Sequence, residues 1–104
     1  GATLGAQATA SGAVAIGPAT LVSVTNGTAL GTSSSVSLAN SVALGSNSIA
    51  SATTATTNWT AANGIVTGST FAVNQSPTNG VVAIGNRQLQ GLADGEVSAT
   101  STEA

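Results

Sequence analysis

Apolar residues along this chain gather in short runs that end on glycine. The runs are Ala2-Thr3-Leu4-Gly5, Val14-Ala15-Ile16-Gly17, Thr28-Ala29-Leu30-Gly31, Val42-Ala43-Leu44-Gly45 and Val82-Ala83-Ile84-Gly85, and their glycines are spaced by 12, 14, 14 and 40 residues. A near-constant period this short predicts a solenoid, in which each rung buries against its neighbours what it cannot bury alone. Side chains alternate across a strand, so Val14 and Ile16 share one face and Ala15 takes the other; Val42 and Leu44 stand against Ala43 in the same way. Stacking the rungs makes one column of branched aliphatics (Val14, Ile16, Leu30, Val42, Leu44, Val82 and Ile84) and one of alanines (Ala15, Ala29, Ala43 and Ala83). A strand apolar on both faces is covered on both, and a thin roll covers only one of them. The expectation is that the branched column fills the roll and that the alanine column, suited to close backbone approach, meets a cover from elsewhere.

After each glycine the pattern changes. Thr20 and Val22, Ser34 and Val36, Ser48 and Ala50 are small or apolar, and they alternate with Ala19 and Leu21, Ser33 and Ser35, Asn47 and Ile49. This predicts a half-exposed second strand, with Leu21 and Ile49 as exceptions. Gly12, Asn26, Asn40 and Gly80 stand five positions before the marker glycines. Gly and Asn adopt positive φ most readily, so this column predicts one corner of the rung, and Gly17, Gly31, Gly45 and Gly85 predict the other. The period lapses at residues 52–80, which hold the only aromatics, Trp59 and Phe71. That stretch reads as an insertion of loops and a hairpin, punctuated by Asn63-Gly64 and Asn79-Gly80, with its aromatics packed onto the roll.

Composition narrows the function classes. Apolar residues make up 41% of the 104, but 20 of them are alanine, which is thin for a globular core and points to a single domain or part of one. The four charged residues, Arg87, Asp94, Glu96 and Glu103, all lie in the last fifth of the chain. One arginine and a net charge of −2 give no basis for nucleic-acid binding or for a polybasic membrane patch. The absence of cysteine removes disulfide and thiolate chemistry, and no apolar run approaches the ~20 residues needed to cross a bilayer.

Catalysis has little to work with. Residues 1–86 contain no Asp, Glu, His, Lys, Cys or Tyr, so no serine there has an activating base. Asp94, Glu96 and Glu103 read as a solvated face rather than a metal site. No enzyme, cofactor or metal is expected.

Asn40-Ser41-Val42-Ala43-Leu44-Gly45 and its recurrences resemble the YadA-like head repeat of trimeric autotransporter adhesins. The stretch Arg87-Gln88-Leu89, followed by Leu92-Ala93-Asp94-Gly95-Glu96-Val97, is similar to the neck that follows such heads. The resemblance implies an all-β, left-handed parallel β-roll assembled as a homotrimer. It implies head repeats over 1–51, an insertion at 52–80, a final repeat at 81–86, and a neck over 87–104 leading to a coiled-coil stalk. It further implies an alanine column on the trimer axis. Arg87, the only cation, lies a few residues from Asp94 and Glu96 where head and neck join, and is expected to form an ion pair between neighbouring chains. The implied function is attachment to a host extracellular matrix protein, cell-surface receptor or glycan, or else service as a spacer in the fibre. The implied place is the surface of a Gram-negative bacterium, held in the outer membrane by an anchor domain outside this chain.

Overall fold

The computed structural model describes residues 5–53, 59–60, 70–71 and 77–93. The chain divides into two compact units, one formed by Gly1–Thr53 and Thr78–Gln88, the other by Thr54–Pro77 and Leu89–Ala104.

The first unit is a parallel β-solenoid of about three turns built from very short strands. These are β1 (Gln7–Ala8), β2 (Val14–Ile16), β3 (Leu21–Val22), β4 (Thr28–Leu30), β5 (Ser35–Val36), β6 (Val42–Leu44) and β7 (Ile49–Ala50). In the second unit β8 (Trp59–Thr60) pairs antiparallel with β9 (Thr70–Phe71), and β10 (Val82–Ala83) then returns to the roll. The side chains of β8 and β9 lie outside the described residues, as do the expected packing of Trp59 and Phe71, the turn at Asn63-Gly64, and Asp94 and Glu96.

Two parallel sheets form the walls. One has the order β1-β3-β5-β7 and the other β10-β6-β4-β2. The register follows the repeat, with Ala15 against Ala29, Ala29 against Ala43, and Val22 against Val36. Val82 then pairs with Val42 and Ala83 with Ala43, so the last rung continues the stack across the intervening segment. Because the strands are two or three residues long, most of the ladder runs through the corners. Asn26 N donates to Ser11 O (3.0 Å) and Asn40 N to Thr25 O (3.1 Å). At the opposite corner Gly31 N donates to Ile16 O and Gly45 N to Leu30 O, both at 2.8 Å.

Both corners use left-handed backbone. Asn26 and Asn40 have φ of 55° and 59°, while Gly17, Gly31 and Gly45 reach 122°, 127° and 102°. A third left-handed column lies two residues after the marker glycines, at Ala19 (56°), Ser33 (58°) and Asn47 (61°). The marker glycines touch backbone to backbone: a Cβ on Gly31 would stand 2.6 Å from the carbonyl carbon of Gly45.

Among the described residues the interior holds only small side chains. Val22, Ala29, Val36, Ala43 and Ala50 form the buried apolar core, with Ala13, Ala15, Val24, Val81 and Ala83 packed against it. Thr20, Ser34, Ser41 and Ser48 are fully buried beside them. Thr20 Oγ1 donates to Gly17 O (2.8 Å) and Ser34 Oγ to Gly31 O (2.7 Å), so each hydroxyl closes its own corner. Among the described residues no buried side-chain polar atom lacks a partner. The second strand follows the expected alternation, with Val22, Val36 and Ala50 inward and Leu21, Ser35 and Ile49 outward.

The first strand reverses its expected orientation. Ala29 and Ala43 expose none of their surface, whereas Val14, Ile16, Leu30, Leu44 and Val82, expected to fill the roll, are exposed, and Val42 and Ile84 are half-buried. Ala29 and Ala43 are therefore interior and not available to another chain, and Ala15 and Ala83, half-buried, pack against the same core. The reason is volume. A Cβ added to buried Gly27 would lie 2.6 Å from Val22 Cγ1 and 3.1 Å from Val36 Cγ1, so the two sheets leave no room for leucine or isoleucine between them.

Candidate assembly surface

The outward face of β2, β4, β6 and β10 follows from the same register that buries the alanines. Val14, Thr28, Val42 and Val82 align in one row, and Ile16, Leu30 and Leu44 in the next. Ile16 is 56% exposed, Leu30 42% and Leu44 43%. Two adjoining rows of branched side chains thus run along the solenoid axis, with no charged residue among them. Exposed aliphatic surface of this continuity marks an interaction site rather than ordinary scatter. Sinking a half-exposed Leu or Ile into an interface gains roughly 1 kcal/mol at ~25 cal/mol per Å². The ladder repeats that gain rung by rung.

The opposite wall differs. Its outward column is Gln7, Leu21, Ser35 and Ile49, with polar positions breaking the apolar ones. At the corner between the walls Asn26 Nδ2 donates to Asn40 Oδ1 (3.2 Å), giving a side-chain rung that repeats the backbone one. These faces are neutral, and their recognition chemistry is limited to hydroxyls, amides and small apolar patches.

Arg87 closes the end of the roll that follows the last rung. Its Nη2 donates to Ser46 O (2.8 Å), and its Nη1 donates to Ile84 O (2.9 Å), Ser48 Oγ (3.2 Å) and Gly85 O (3.3 Å). These acceptors are uncharged, so the guanidinium serves the corners of the roll. The expected carboxylate partners fall outside the described residues. Sequence reasoning missed this role because the acceptors are main-chain carbonyls, which no residue type announces. It also missed the third left-handed column, where Ala19 and Ser33 give little turn signal; Asn47 alone hinted at it.

The repeat itself is what the comparison with known families finds. A family model for the YadA head domain repeat matches residues 8–34, 25–48 and 39–56. No curated protein and no solved structure matches the chain.

Proposed function

Since residues 8–56 carry YadA head repeats and form a YadA-like trimeric autotransporter adhesin head fragment, we propose that three copies assemble through their aliphatic rows into a head that attaches the bacterium to host tissue. The observation that carries this reading is the uncovered row Ile16, Leu30 and Leu44, which parallel strands do not leave facing water without a partner. Three-fold cyclic symmetry brings the same row of each chain to one axis and supplies that partner from the chain itself. The alanines then serve the interior of each roll, and the aliphatics serve the axis.

The walls turned away from the axis are the surfaces that meet the host. They carry neutral hydroxyl and amide groups, and three copies per fibre hold by avidity where one weak contact does not. The ligand class is an extracellular matrix protein, a cell-surface receptor or a glycan. Residues 87–104 form the neck, which leads to a coiled-coil stalk and, beyond it, to an outer-membrane anchor. A neutral roll of alanine, serine and valine offers no acid–base machinery and supports a non-enzymatic role.

The test is binding of the trimeric chain to immobilised collagen, fibronectin and laminin and to epithelial cells, beside a monomeric Leu44→Arg variant. Saturable binding by the trimer, weakened by more than tenfold in the monomer, is the expected result. No binding by either form to any of these surfaces would favour a spacer in the fibre.

A further inference from the structure

The corner bonds show what changes at the last rung. Ser33 N donates to Pro18 O and Asn47 N to Thr32 O, both at 2.9 Å, so each rung hands a main-chain N–H to the rung before it. The next acceptor in that series is Ser46 O, and by the register of β10 on β6 its donor belongs to residue 87. There the bond is made by the side chain, Arg87 Nη2 to Ser46 O at 2.8 Å.

The neighbouring geometry changes in step. The left-handed residue of this corner is Asn86 (φ 58°), one position after its glycine instead of two. Ser48 Oγ donates to Leu44 O (2.8 Å), unlike Thr20 and Ser34, which donate to their marker glycines, and it accepts from Arg87 Nη1 (3.2 Å). A Cβ on Gly31 would meet the backbone of Gly45, whereas one on Gly45 would meet Arg87 Cζ at 2.9 Å. The guanidinium occupies the place where the next rung's backbone would lie.

We propose that Arg87 is a clasp that ends the solenoid: its planar fork replaces the main-chain ladder where the chain leaves register, and fastens the rung after the insertion to the rung before it. One group bonds Ser46 and Ser48 on one side and Ile84 and Gly85 on the other, residues separated by about forty positions of sequence. The clasp acts within each chain and does not depend on the assembly proposed above.

Arg87 is the only Lys or Arg in the chain, so the Arg87–Gln88 bond is its only trypsin site. A guanidinium held in four hydrogen bonds is withheld from the protease until the corner opens, and cleavage then tracks the open population. The folded chain is expected to resist trypsin under conditions that cut the urea-unfolded chain at once. Arg87→Lys keeps the charge and the cleavage site but lacks the fork, and should be cut about tenfold faster. In Arg87→Gln, amides of residues 81–85 should exchange with solvent about tenfold faster while those of residues 21–36 are unchanged. Equal protection of Arg87→Lys and wild type would overturn the proposal. So would unchanged exchange at 81–85, or uniform acceleration along every rung.

Discussion

Ala29 and Ala43 are partners in the parallel ladder between β4 and β6, and neither exposes any surface. The methyl groups meet inside the roll against Val22 and Val36, in a space too narrow for a larger side chain. Ala43→Leu is therefore expected to overpack the interior and lower stability by about 1–3 kcal/mol. Ala43→Arg buries a cation without a partner and should prevent folding altogether. Circular dichroism during a thermal melt distinguishes these outcomes from loss of assembly alone, in which β structure survives.

Gly31 offers a sharper steric test. Its φ is 127°, and an added Cβ would stand 2.6 Å from Gly45 C and 2.7 Å from Ser46 N. Neither neighbour is a flexible side chain, so the rungs must part. Gly31→Ala should cost more than ~2 kcal/mol, combining left-handed strain with the clash. Gly5→Ala, where a Cβ would meet nothing within 4 Å, serves as the control and should be near neutral. Urea midpoints of the two variants make the comparison.

Ala19 holds φ of 56° in a column whose other members are Ser33 and Asn47. The left-handed region disfavours alanine by roughly 1 kcal/mol and tolerates Gly and Asn. Ala19→Asn or Ala19→Gly is expected to raise stability by about 0.5–1 kcal/mol. An increased urea midpoint with an unchanged slope would register it.

The repeat, its two corners and the alternation of the second strand were legible because each rests on a residue property that repeats in phase. Asn26 and Asn40 announce left-handed backbone, and Ser34 beside Val36 announces an inner face of small groups. The first strand was harder, because Val42, Ala43 and Leu44 are apolar on both faces and alternation alone does not say which face is inward. Ranking by hydrophobicity put the leucine inside; ranking by volume puts the alanine there. The clue lay in the facing wall, where Thr20, Val22, Ser34, Val36, Ser48 and Ala50 already set a narrow interior. Arg87 was recognisable as a singular cation, but its acceptors are carbonyls brought near by the fold and are invisible to residue type.

The assembly surface is tested most directly by sedimentation equilibrium on wild type and Leu44→Arg. The account predicts three chains for wild type, and a single chain with intact β-type circular dichroism for the variant, since Leu44 lies outside the roll and 43% exposed. A monomeric wild type, or a Leu44→Arg variant that still sediments as three chains, would contradict it.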